Sequence, residues 1–168
     1  MFVSSGPTFQ AASTLFRAIE DEFGWSRASV AAAISIGSVA AAAASPITGW
    51  MVDRWGGRWV LTAASLLISF VLFYLIDLKY LWQLYLAYAI GRGLSMAAVS
   101  NVGFVVVNNW FIAKRSTAVG VVAVSQRIGM ALLPLYIATV ITITGNWRTG
   151  WLALGLVVLL FGVFPPAV

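Results

Sequence analysis

Residues 29–76 read SVAAAISIGSVAAAAASPITGWM, then VDRWGGR, then WVLTAASLLISFVLFYLI. Two apolar runs, each close to the roughly 20 residues that a bilayer-spanning helix needs, flank one short charged turn. Neither run alternates polar with apolar, and both are far longer than a strand. Only helices and closed barrels satisfy the backbone inside hydrocarbon, so this stretch reads as a pair of antiparallel membrane helices.

The pattern continues outward in both directions. Six segments of this kind are marked, roughly Phe2–Ile19, Ser29–Met51, Trp59–Ile76, Leu81–Asn108, Thr117–Ile143 and Thr149–Phe164. The eight tryptophans, Trp25, Trp50, Trp55, Trp59, Trp82, Trp110, Trp147 and Trp151, all fall at or near segment ends. An amphipathic ring prefers the membrane–water interface, so the tryptophans support the division. Most charges also sit between segments: Glu20, Asp21 and Glu22 after the first, Asp53, Arg54 and Arg58 after the second, Asp77 and Lys79 after the third, Lys114 and Arg115 after the fourth. The expected fold is all-α, a multi-pass bundle of six transmembrane helices over residues 1–168.

Composition agrees. Of 168 residues, 61% are hydrophobic and 9% are charged, against roughly 25% charged in a soluble domain. Ten basic residues face five acidic ones, and the basic residues are scattered. A nucleic-acid surface gathers its charge on one face, so no nucleic-acid partner is expected. Cysteine and histidine are absent, which removes disulfides, thiol and imidazole catalysis and nearly all zinc chemistry. Neither a cofactor nor an enzymatic activity is expected. Basic residues divide four and four between the two sides (Arg54, Arg58, Lys114 and Arg115 against Arg17, Arg27, Lys79 and Arg148), so the positive-inside count leaves orientation open.

The turn itself carries a motif: Gly49-Trp50-Met51-Val52-Asp53-Arg54-Trp55-Gly56-Gly57-Arg58. It resembles the signature loop between helices 2 and 3 of the major facilitator superfamily, Gly-x-x-x-Asp-Arg-x-Gly-x-Arg, at Gly49, Asp53, Arg54, Gly56 and Arg58. Trp59 stands where the family often has a further basic residue. Other stretches resemble the monocarboxylate-porter and oxalate–formate-exchanger branches: Glu22-Phe23-Gly24-Trp25-Ser26-Arg27, Ser45-Pro46, Trp110-Phe111 with Lys114-Arg115, Leu133-Pro134, and Asn146-Trp147-Arg148. Ser116 departs from the glycine common there. The resemblance implies a 12-helix carrier of two six-helix halves. This chain would be the amino-terminal half, with helix 1 slightly truncated and a carboxy-terminal half missing. It also implies that the turns after helices 2 and 4 are cytoplasmic. Gly49, Asp53, Arg54, Gly56 and Arg58 would then act as a conformational latch. Helices 1, 2, 4 and 5 would surround a central cavity.

Two arginines break the charge pattern. Arg92 lies about 11 residues into helix 4 and Arg127 about 10 into helix 5, each roughly 15 Å deep at about 1.5 Å per residue. Together they cost about 5–7 kcal/mol on insertion scales. No acidic residue lies mid-span. Water, carbonyls, polar neighbours such as Asn101 and Gln126, the other half or an anionic solute must meet them. Planar guanidinium groups grip carboxylates in two places, so Arg92, Arg127, Asn101 and Gln126 are the candidate solute-binding residues. Structural pairing with the other half is the alternative. The Ala-rich face of helix 2, with Gly37 in it, reads as close helix packing. The expected function is transport of a small solute across the cell membrane, with an organic anion such as a monocarboxylate favoured. A receptor-like or non-transporting membrane protein, or an intramembrane enzyme, are the rivals.

Overall fold

The computed structural model describes residues 15–100, 102 and 115–160, and they are helical apart from short turns. In chain order the helices are α1 (Phe16–Phe23), α2 (Arg27–Trp55), α3 (Gly57–Tyr74), α4 (Leu81–Leu94), α5 (Arg115–Thr144) and α6 (Trp147–Val158). A 3₁₀ turn, Leu75–Asp77, extends α3, and a π-helical stretch, Ser95–Ser100, extends α4. Three of these are long and apolar enough to cross a membrane: Arg27–Trp55, Gly57–Asp77 and Ser116–Thr144. The expected first, fourth and sixth segments reach into residues outside those described, and Asn101, Trp110 and Lys114 lie there too.

Helix ends differ from the hydropathy reading in a consistent way. The apolar pattern stops where charges begin, but the backbone does not. Glu20, Asp21 and Glu22 form the last turn of α1, and Asp53 and Arg54 the last turn of α2. Arg58 belongs to the first turn of α3. Backbone caps set the real ends. Gly24 and Gly145 adopt left-handed φ of 65° and close α1 and α5. Ser26 accepts from the Ser29 amide at 3.1 Å, and Asn146 from the Arg148 amide at 2.9 Å, so each satisfies an orphan donor of a first helical turn.

The bundle is apolar on its outside as well as in its core. Leu15, Ile19, Ile68, Leu72, Leu84, Ile137, Trp151 and Leu154 form a dry core. Large apolar side chains such as Val39, Phe70, Leu135 and Ile143 cover the outside. That much exposed hydrocarbon suits lipid, not water.

Two packings set the architecture: α3 lies against α4 and α6, and α2 lies along α4. The contacts of α2 with α4 advance together along both chains. The Tyr85 hydroxyl donates to the Ser29 carbonyl at 3.1 Å, Gly37 meets Tyr88 and Arg92, Gly93 meets Ala40, and the Thr48 hydroxyl reaches the Ala97 carbonyl at 3.2 Å. The two helices are therefore parallel and in register. Small residues let the backbones approach, as the Ala-rich face of α2 implied.

The π stretch loosens the regular hydrogen-bond ladder, and hydroxyls compensate. Ser95 donates to Gly91 O at 2.8 Å, Ser100 to Ser95 O at 3.1 Å, and buried Thr48 to both Ser45 O and Ala97 O. Thr48→Val keeps the shape but leaves the buried Ala97 carbonyl without that donor. A loss of about 1–3 kcal/mol is expected, checked by thermal melting in detergent.

Candidate functional site

Arg92 lies in the register between α2 and α4. A Cβ built on Gly37 would stand 2.7 Å from the Tyr88 carbonyl oxygen, 2.8 Å from Arg92 Cδ and 2.9 Å from Arg92 Cβ. The side chain of Arg92 therefore crosses α2 in the space that glycine leaves. Its Nε donates to Ser38 Oγ at 3.4 Å. The residue is half-buried. Among the described residues, which include all five acidic ones, Arg92 forms no ion pair.

Arg127 sits on α5 and is exposed, with Nη1 directed at Met130 Sδ, 3.9 Å away. Gln126 beside it is half-buried. Asn101 lies outside the described residues. No hydrogen bond joins Arg92 to Arg127 or to Gln126 among the described residues. Ser38 and Gly37 are the neighbours that hydropathy alone did not identify as site residues. Gly37 was legible only as a packing residue, and nothing in the sequence paired Ser38 with a position 54 residues away.

The Gly49–Arg58 motif is built as one continuous corner. Gly56 is the sole residue between α2 and α3 and adopts φ 81°, ψ 151°, a region open essentially to glycine alone. Its amide donates to Val52 O at 2.9 Å. Arg54 lies over the Trp50 ring, 5.4 Å from the centroid, and Trp50 meets Trp55 edge-on at 6.0 Å. Asp53 and Arg54 are exposed and form no ion pair with each other. Beside the corner lies an apolar cleft of about 470 Å³ lined by Met51, Trp55, Trp59, Val60 and Ala63. It offers no charged group and is remote from the mid-helix arginines.

At the opposite end, two motifs far apart in sequence meet. Glu22 accepts from Arg148 Nη2 at 2.8 Å and from the Trp147 indole nitrogen. Arg148 in turn stacks on Trp147 at 4.5 Å, and Phe23 stacks on Trp25 at 4.6 Å. The Arg148 hydrogen bond first, and the Trp147 one second, hold the Glu22 carboxyl below the usual carboxylate range. A depressed pKa adds stability above the unfolded-state value, and that stability is lost as pH falls through the folded-state value. Both side chains are more than a third exposed, so screening limits the pair to about 0.2–1 kcal/mol. Wild-type protein is therefore expected to lose that margin over Glu22→Gln below about pH 4, read as converging melting temperatures between pH 7 and pH 3.

Comparison with known proteins agrees with this arrangement. A family model for the Major Facilitator Superfamily matches residues 1–168. An MFS-type transporter of Gibberella moniliformis (strain M3125 / FGSC 7600) is 31% identical over 118 residues, covering 70% of this chain and 28% of that protein. The MFS-type transporter hasB of Aspergillus fumigatus (strain CBS 144.89 / FGSC A1163 / CEA10) is 30% identical over 117 residues, covering 69% of this chain and 26% of that protein. The matched stretch thus spans about a quarter of each relative's length. With the family model covering it from end to end, this helical membrane protein belongs to the major facilitator superfamily.

Proposed function

We propose that the chain is the amino-terminal six-span half of a carrier that moves a small organic anion across the cell membrane by alternating access. One observation carries the reading. Arg92 stands about 16 Å along α4 from Leu81, at about 1.5 Å per residue, half-buried and with no carboxylate partner among the described residues. A mid-depth guanidinium costs about 2.5–3.5 kcal/mol, and a protein keeps such a group where it faces a wet interior. Carrier sites lie near the midplane between the two halves.

Arg127 is the second contributor in this reading. It lies 17 residues from Thr144, or about 25 Å, measured from the same side of the bundle. Counted along the two helices, the arginines are offset by roughly 9 Å at that rise, and in this reading both act on one solute. Gln126 and Asn101 are the further polar residues assigned to the solute in this reading. The corner at Gly49, Asp53, Arg54, Gly56 and Arg58 is the cytoplasmic latch against the second half. The monocarboxylate-porter and oxalate–formate-exchanger branches remain the preferred placement, on the stretches quoted above.

The test is uptake by proteoliposomes holding the intact carrier. Radiolabelled monocarboxylates and oxalate are compared with the matching neutral amides. Selective uptake of the acids is expected. Equal uptake of acids and amides would remove the anion from the proposal.

A further inference from the structure

We infer that Ser38 is a positioning residue for Arg92, holding Nε so that Nη1 and Nη2 meet the solute end-on, and that glycine at position 37 is the condition for it. This rests on the reading above that Arg92 faces the solute path.

The hydroxyl of Ser38 already donates its one hydrogen to the Ile34 carbonyl, 3.0 Å away. What it turns toward Arg92 is a lone pair. It is an acceptor by geometry, and the Nε–H at 3.4 Å is its donor. The consequence is specific. A hydroxyl acceptor orients the guanidinium without neutralising it, as a carboxylate there would. Of the five guanidinium N–H groups, the one on Nε is committed. The four on Nη1 and Nη2 form the planar end that matches a carboxylate or similar planar anion.

Gly37 makes the approach possible. Its missing Cβ would lie within 2.9 Å of three atoms, and one of them, the Tyr88 carbonyl oxygen, is backbone that cannot swing aside. At Gly93, on the facing helix, an added Cβ would meet Ala40 at 3.5 Å, an ordinary contact. Two glycines in one packed seam thus carry different constraints. Arg127 supplies the contrast, because its recorded partner is the weakly accepting sulfur of Met130 at 3.9 Å.

The chain contains no cysteine, so Ser38→Cys places a single thiol in it. In the intact carrier, with any other cysteines replaced, this thiol is reacted with an anionic methanethiosulfonate (the ethylsulfonate) and a cationic one (the ethyltrimethylammonium). The anionic reagent is expected to gain at least tenfold over the cationic one relative to the same thiol in an Arg92→Gln background. Gly37→Ala, combined with Ser38→Cys, is expected to erase that preference, while Gly93→Ala keeps it. On the native serine, Ser38→Ala should raise the KM for a transported carboxylate several-fold at unchanged kcat, with Ser38→Thr restoring it. If both reagents react equally with and without Arg92, the positioning is wrong while the wet path stands. If neither reacts, the wet path fails and the inference falls with it.

Discussion

Arg92→Gln is expected to raise the half-saturation concentration for an organic anion at least tenfold in the intact carrier, without lowering its thermal stability. The affinity term follows from the chemistry of the contact. A hydrogen bond to a charged group contributes about 1.5–3 kcal/mol, and each 1.4 kcal/mol is about tenfold in a binding constant. Glutamine keeps length and polarity but loses the charge and the fork. Arg92→Lys keeps the charge alone and is expected to recover only part of the affinity. The stability term has the opposite sign. No acidic residue among those described pairs with Arg92, so its removal strands no buried partner charge, and the part of the insertion cost that its half-buried position still carries is relieved. Uptake kinetics and melting temperature measured on the same preparations separate the two. Loss of uptake together with a lower melting temperature would instead mark Arg92 as a structural residue.

Gly56→Ala is expected to cost about 1–3 kcal/mol of stability, the range for a non-glycine residue held in a sparsely populated backbone region. For a chain of this length, that corresponds to a fall in melting temperature of roughly 2–12 °C. The space around Gly56 is open, with nothing within 4 Å of an added Cβ, so the penalty is backbone strain alone. Gly49 is the control. It also belongs to the motif and also has open space, but it lies inside α2 and carries no positive φ. Gly49→Ala should be neutral or slightly stabilising, because alanine is favoured over glycine in a helix by about 0.5–1 kcal/mol. Circular-dichroism melts in detergent decide both. Equal effects at the two positions would refute the assignment of the corner to Gly56.

The family was legible from the corner motif because Gly56 is dictated locally, by one residue's φ. The apolar runs were legible because lipid demands length and hydropathy. Helix ends were less so. Hydropathy reports where the lipid-compatible surface stops, whereas the backbone continues until a cap such as Gly24 or Gly56, so α1 and α2 run about one turn further than their apolar pattern. The arginines stood out by cost, but their surroundings did not. Ser38 meets Arg92 only because α2 and α4 are parallel and in register. Glu22 meets Arg148 across 126 residues. Both pairings depend on the relative depth of helices, which no local pattern encodes. The π stretch at Ser95–Ser100 was equally silent, since its residues are as compatible with regular helix.

The most direct test is counterflow by the intact carrier in proteoliposomes. Vesicles preloaded with an excess of an unlabelled monocarboxylate are diluted into a trace of the labelled one, without ion gradients. Transient accumulation of label above its equilibrium level is predicted, with its initial rate reduced at least tenfold by Arg92→Gln. Label that enters no faster into preloaded than into empty vesicles, or accumulation untouched by Arg92→Gln, would contradict an alternating path lined by this arginine.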